Sequence, residues 1–236
     1  MNRLGTGASS RQPTSTAGLD EWAPSLLKAQ LYGRLLVDII IGALKPGEQL
    51  DENALARRYE GGLAGIRDAL ARLALEGLVV RKARVGTTVA PLDLMEARDA
   101  FEARRLVEIH CAALAAQHAG NDEIAAIRAT LADGEAAVEN NDARALAAMD
   151  EAFHVAVATA SGNRTLAKMV VTLHHQTARY WLTTMKAPSR TESLQALEEH
   201  RSLVDVIAAH DVEAARAVME KVLGDFPGDT MRVPGS

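Results

Sequence analysis

Three polar residues carry the clearest chemistry in this sequence, because their spacing places them on apolar helical faces. Asp150 and His154 lie four positions apart in a stretch with helical periodicity, so both side chains are predicted to point toward the core. His200 takes the same kind of position between Leu197 and Val204. Carboxylate oxygen and neutral imidazole nitrogen bind Zn²⁺, Ni²⁺ or Mn²⁺, so convergence of the three would form a divalent metal site. The alternatives are an Asp150–His154 ion pair or a polar cavity that holds water.

Basic residues form a second set, between residues 55 and 90. Two short predicted helices joined by a Gly-containing turn fill residues 55–80, which is the arrangement of a helix-turn-helix. The second helix has Arg67 on its outward side, and a basic hairpin or wing follows it. Such side chains are suited to DNA phosphates. The candidate DNA-binding residues are Arg57, Arg58, Arg67, Lys82, Arg84 and Gly86.

The elements that must position these residues are mostly helical. An amphipathic helix over residues 31–40 should end before Lys45-Pro46-Gly47, and two β-prone runs, 78–81 and 87–90, should form the wing. The remaining chain predicts helices over 93–119, 122–140, 142–161, 164–186, 191–209 and 211–225. The fold class is therefore mainly α, with an N-terminal winged helix-turn-helix, a small β-wing and a C-terminal antiparallel helical bundle.

The length, composition and charge distribution of the chain indicate two folded domains. The chain has 236 residues, 48% of them hydrophobic, and a net charge of −5. Residues 27–90 hold ten Lys/Arg against seven Asp/Glu, so a basic part precedes an acidic one. The predicted division is a disordered arm (1–26), a DNA-binding domain (27–91), an effector-binding domain (92–226) and a tail (227–236). A single cysteine, Cys111, and the lack of a long apolar run or signal peptide suggest a cytoplasmic protein without a membrane segment.

Residues 27–91 resemble the winged helix-turn-helix of the GntR family of bacterial transcriptional regulators. The resemblance rests on Leu44 to Leu50, Leu55-Ala56, Arg67-Asp68-Ala69-Leu70, Leu73, Glu76-Gly77-Leu78-Val79 and Gly86. It implies DNA binding by the second helix and the wing. The chain departs from the family just before Arg67, where Gly62 to Ile66 replace a Ser-Arg-Thr-Pro-Val-like run. The missing serine would cap the helix, and the missing arginine would contact DNA.

Residues 94–223 resemble the FCD effector domain of the FadR subgroup of that family. The matching residues are Arg104 with Glu108, Asp150, Phe153-His154, Gly162-Asn163, Glu199-His200-Arg201 and Asp211 to Ala215. In metal-binding members, an Asp and three His hold a divalent ion. Asp150, His154 and His200 match the first three positions, and the fourth falls at Val222, which cannot bind a metal. His174 or His175 are candidate replacements.

The resemblance also suggests that Arg104 turns toward the same cavity. A guanidinium there can bind a carboxylate effector, as can His200. The alternative for Arg104 is an intrahelical pair with Glu108.

The predicted function is a ligand-responsive transcriptional regulator and not an enzyme. It would bind a palindromic operator in double-stranded DNA as a homodimer and sense a small organic acid, with a divalent metal as cofactor. Two alternatives are a dimeric sensor that has lost sequence-specific DNA binding and a metal-dependent hydrolase.

Overall fold

The computed structural model describes residues 19–184 and 188–226, with side chains from Leu27 onward. The predicted tail and residues 1–18 of the predicted arm lie outside these ranges. The helices are α1 (Leu19–Ile40), α2 (Glu52–Arg58), α3 (Leu63–Leu75), α4 (Leu94–His118), α5 (Asn121–Ala129), α6 (Gly134–Glu139), α7 (Ala143–Ala160), α8 (Arg164–Thr184), α9 (Arg190–Ala208) and α10 (Val212–Leu223). The strands are β1 (Val79–Lys82) and β2 (Gly86–Val89).

The first helix begins earlier than the sequence predicted. It starts at Leu19, inside the range 1–26 that we had assigned to a disordered arm. Pro24 lies within this upstream extension and has no backbone N–H, so the first turns of α1 lack one intrahelical hydrogen bond.

The N-terminal module, residues 27–91, packs α1 against α3 and adds a two-stranded wing. Its core includes Leu35 and Ile39 of α1 and Ile66, Leu70 and Leu73 of α3, all fully buried. β1 and β2 pair antiparallel, with Val79 opposite Val89 and Lys82 opposite Gly86. The predicted helix, helix, helix, wing order is therefore confirmed, with each strand within one residue of its predicted bounds.

The C-terminal module, residues 94–226, is a bundle in which α4 contacts α7, α8, α9 and α10. Its core includes Phe153, Leu203 and Ile207, which have no exposed surface. The helix predicted over 122–140 is wrong: a turn at 130–133 divides it into α5 and α6. The chain turns so that Gly134 packs closely on Leu197, whose Cδ1 would lie 2.7 Å from a β-carbon at that position.

Asp38 of α1 joins the two modules through a buried ionic contact. Its carboxylate accepts hydrogen bonds from Tyr59 Oη at 2.6 Å, from Arg58 Nη2 at 2.9 Å and from Arg144 at the start of α7. Burial alone would raise the pKa of Asp38, but Tyr59 and the two arginines hold this pKa below its ordinary value. Because the folded pKa is lowered, the carboxylate stabilises the fold above the unfolded-state pKa of about 4, and this contribution is lost as the pH falls through the folded value.

We expect Asp38→Asn to lower the free energy of unfolding at pH 7 by about 1–3 kcal/mol, because charge-assisted hydrogen bonds are lost. Urea titrations followed by circular dichroism would measure this loss, and the difference from wild type should shrink as the pH falls below about 4, toward the lowered pKa of the folded state. The matched control is Asp99→Asn, at an exposed site of α4. Equal effects of the two substitutions would contradict the prediction.

Candidate metal centre and nucleic-acid interface

The structure brings Asp150, His154 and His200 together in the C-terminal module. Asp150 and His154 lie one turn apart on α7, and His200 approaches from α9. Its Nε2 lies 3.2 Å from Asp150 Oδ1, and His154 Nε2 lies 3.7 Å from the same oxygen. One potential ligand atom from each residue falls within 4.8 Å of the others. The convergence that spacing alone could not establish is present in the fold.

Hydrogen bonds on the far side of each imidazole fix its orientation. His154 Nδ1 donates to Glu108, and His200 Nδ1 donates to the carbonyl oxygen of Ala196 at 2.6 Å. With Nδ1 engaged, Nε2 is the ring nitrogen that faces Asp150, and without a metal the Nε2–H of His200 donates to Asp150 Oδ1 at 3.2 Å. A metal ion would take the place of that proton. Carboxylates and backbone carbonyls hold metal-binding histidines in the same way. The donor set and its supporting contacts therefore fit a divalent cation.

The charges around Asp150 also suit a cation. Burial opposes its ionisation, yet the neighbouring His154 and His200 hold the pKa of Asp150 well below its ordinary value. The two imidazoles are 3% and 5% exposed, whereas the Asp150 side chain is 38% exposed. The cluster therefore has two buried imidazoles and one partly exposed carboxylate. The exposed side of Asp150 is where an ion or small ligand would enter.

Arg104 is joined to the cluster through the carboxylate of Glu108. It is buried on α4, where its Nε donates to Glu108 at 2.5 Å and its Nη1 donates to Thr177 Oγ1 at 3.1 Å. Burial disfavours the Glu108 carboxylate, but Arg104 and His154 lower its pKa to about 2. The pair with Glu108 that the sequence left as an alternative is present, and it connects Arg104 to the cluster through His154.

The two neighbouring histidines of α8 face different partners. His174 points its Nε2 toward Asp150 Oδ2, at 3.8 Å. His175 instead lies between Glu151 of α7, at 2.9 Å, and Glu76 beyond the end of α3, at 3.2 Å. Glu151 and Glu76 raise the pKa of His175 above the value that burial alone would give, and the net shift is upward. Only one of the two candidate replacement ligands, His174, therefore reaches the cluster.

Arg67 of α3 and Arg81 of the wing lie close to one carboxylate, that of Glu52. Arg67 Nε pairs with Glu52 at 2.7 Å, and Arg81 Nη2 lies 3.8 Å from the same carboxylate, so the start of α3 and the wing share a surface. Arg81 is not among the DNA-binding residues that the sequence predicts. All six candidates predicted from the sequence are exposed, Arg57, Lys82 and Arg84 among them.

Arg58 and Gly86 have structural roles in addition to any contact with DNA. Arg58 donates to the buried carboxylate of Asp38, although about half of its side chain stays exposed. Gly86 ends the wing turn with a φ of +118°, a conformation that favours glycine.

The glycines before Arg67 also have distinct structural roles. A β-carbon at Gly65 would lie 2.8 Å from Leu31 Cδ1, so this glycine allows α1 and α3 to approach closely. Gly62, at the N-cap of α3, has ordinary extended backbone angles and open space around it. Position 62 therefore has room for a residue with a capping side chain, but its glycine supplies none to α3.

Comparison with known proteins shows which protein family has these two domains. Residues 27–89 match the model of bacterial regulatory proteins of the gntR family, and residues 99–225 match the FCD domain. The chain belongs to the GntR family and combines a DNA-binding helix-turn-helix with a ligand-sensing FCD domain, as members that regulate transcription do.

Individual relatives agree with this assignment. The HTH-type transcriptional repressor GlaR of Escherichia coli is 31% identical over 201 residues, covering 81% of this chain and 90% of the relative. The HTH-type transcriptional regulator LutR of Bacillus subtilis is 29% identical, covering 75% and 89%. Among solved structures, Escherichia coli McbR/YncC shares the fold with a TM-score of 0.73 at 22% identity, covering 84% of this chain and 93% of that one. Among the described residues, no helix is long and apolar enough to span a membrane.

We expect Gly62→Ser to stabilise the N-terminal module by a few tenths of a kcal/mol, because serine caps a helix somewhat better than glycine. The added hydroxyl should also strengthen DNA binding several-fold through a phosphate contact. Urea unfolding and fluorescence anisotropy with a DNA fragment would measure the two effects.

The same substitution three residues later is the matched control. Gly65→Ser should cost about 1–3 kcal/mol, because its β-carbon would meet Leu31. A destabilising Gly62→Ser, or a neutral Gly65→Ser, would contradict this account of the two glycines.

Proposed function

We propose that this regulator senses a small organic acid at a divalent metal held by Asp150, His154 and His200, and that it regulates transcription as a homodimer bound to a palindromic operator. The convergence of one carboxylate and two imidazoles, each with Nε2 directed inward, is the observation that carries the proposal. Zn²⁺, Ni²⁺ and Mn²⁺ all suit these donors. The FCD match supports placement in the FadR subgroup, with a domain boundary between residues 91 and 92.

The effector site is proposed to use the same cluster. Three protein ligands leave coordination positions for a carboxylate of the effector, and the exposed side of Asp150 gives access to them. The metal, when bound, would act as an electrophile that attracts this carboxylate. His200 borders the opening, and Arg104 adds positive charge from behind His154, although its guanidinium is already paired with Glu108.

The DNA-binding surface is proposed to comprise Arg57, Arg58, Arg67 and the wing residues Lys82, Arg84 and Gly86, with α3 in the major groove. Arg81 extends this set, because it shares Glu52 with Arg67. A twofold symmetric dimer presents two such surfaces, which matches a palindromic operator. Exposed apolar side chains, including Leu75 and Leu106 at 90% and 78%, support contact with a partner subunit. A protein that regulates transcription in this way works in the cytoplasm.

A dimeric sensor without sequence-specific DNA binding is the second candidate. The uncapped Gly62 and the pairing of Arg67 with Glu52 favour it. A metal-dependent hydrolase is less favoured, because members of the family are transcriptional regulators.

Selection of genomic fragments with the purified protein would distinguish these functions. We expect enrichment of a palindrome and affinity that falls steeply with salt, because phosphate contacts release counterions. Lys82→Ala combined with Arg84→Ala should weaken binding to the operator and to unrelated DNA by similar factors and reduce the salt slope by about 2. Lys168→Ala combined with Arg164→Ala, at exposed positions of α8, is the charge-matched control. Weak, sequence-indifferent binding by a folded wild-type dimer would favour the second candidate.

Removal of the carboxylate tests the metal site. In untagged, chelator-treated protein, we expect Asp150→Asn to reduce Zn²⁺ affinity at least about 100-fold, because Asp150 is the one anionic ligand of the three. Competition with a chromophoric chelator would measure this affinity. The control is Asp122→Asn, at an exposed position of α5. Unchanged Zn²⁺ affinity in Asp150→Asn would refute this site.

A further inference from the structure

His174 is a third imidazole directed at Asp150, and it comes from a helix that supplies none of the three proposed ligands. Its Nε2 lies 3.8 Å from Asp150 Oδ2, and the centres of the His174 and His154 rings are 5.5 Å apart. The α8 helix therefore closes a side of the cluster that α7 and α9 leave open.

Three imidazoles lie close to the carboxylate of Asp150. His200, His154 and His174 place their Nε2 atoms 3.2, 3.7 and 3.8 Å from the Asp150 oxygens. Donors about 2.0–2.1 Å from a tetrahedral ion are separated from one another by roughly 3.3 Å. The two longer separations exceed the range of a hydrogen bond. His174 thus approaches the carboxylate as the His154 imidazole does, without bonding to it.

No other contact explains the burial of this imidazole. The His174 side chain is 2% exposed, and its Nδ1 has no hydrogen-bond partner within residues 19–184 and 188–226. Burying an imidazole without hydrogen bonds is costly, so a compensating interaction at Nε2 is expected.

We propose that His174 is the fourth protein ligand of the metal site, in place of the histidine that the family resemblance would put at Val222. The inference rests on the proposed metal site and specifies its ligand set as Asp150, His154, His174 and His200. These four ligands would bind a divalent cation more tightly than Asp150, His154 and His200 alone. It would still accept an effector carboxylate by expanding its coordination.

The test uses the full-length, untagged protein. Zn²⁺ affinity is measured by chelator competition for wild type, His174→Gln and the control His118→Gln, which changes an exposed histidine of α4. We expect His174→Gln to lower Zn²⁺ affinity at least about 10-fold and to change the visible absorption of the Co²⁺-loaded protein. His118→Gln should match wild type in both measurements. Wild-type affinity and an unchanged Co²⁺ spectrum in a folded His174→Gln protein would overturn the proposal.

A second measurement needs no variant. In long-range ¹H–¹⁵N spectra of the wild-type protein, Zn²⁺ should shift the Nε2 resonances of three histidines, including His174. A shift of only His154 and His200 would show a metal site that excludes His174, so this inference would fail while the proposed metal function stood. A wild-type protein that binds no Zn²⁺ would overturn both.

Discussion

The buried carboxylate of Glu108 is the interaction on which the C-terminal module depends. An ionised carboxylate inside a helical bundle is costly unless it is paired and hydrogen-bonded. Glu108 meets this condition with Arg104 one turn earlier on α4 and with His154 on α7, and Arg104 extends the network to Thr177 on α8. One charge therefore specifies how three helices pack. It also fixes the face that His154 presents to Asp150, so the packing of the bundle and the geometry of the candidate site have the same cause.

Adjacent residues on α7 and α8 connect this site to the N-terminal module. Asp150 and His174 face the cluster, whereas their neighbours Glu151 and His175 pair with each other. His175 also contacts Glu76, directly after the DNA-reading helix α3. A ligand that changes how α7 and α8 pack at the cluster would act on the Glu151–His175 pair one residue away. A link between the cluster and the end of α3 would therefore be short, running through the ionic contacts of Glu151, His175 and Glu76.

Helical periodicity predicted most of the fold and the first three members of the cluster. The i, i+4 spacing of Asp150 and His154 was sufficient to place both on one face of α7, where His154 is buried and the Asp150 side chain stays 38% exposed. The same pattern placed His200 in the interior. The choice between His174 and His175 was beyond this reasoning. The side chains of successive helix residues point about 100° apart, so His174 and His175 meet different neighbours. His174 faces Asp150, whereas His175 contacts Glu151 and Glu76. The contacts of Glu108 with His154 and of Asp38 with Arg58 and Arg144 likewise join distant parts of the chain, which local patterns do not report.

The glycines before Arg67 show what the sequence alone could not predict about the start of α3. As isolated residues, two glycines in a helix start imply only a loss of helix propensity. In the fold, Gly65 is required by the contact with Leu31, whereas Gly62 is not constrained in this way.

The pairing of Arg67 with Glu52 has a similarly limited effect on DNA binding. It neutralises part of the surface in the free protein, but such an exposed ion pair contributes at most about 1 kcal/mol. A DNA phosphate attracts the guanidinium at least as strongly and releases counterions when it binds. The departure from the family sequence therefore removes a cap and a contact while leaving Arg67 and the wing cations available to DNA.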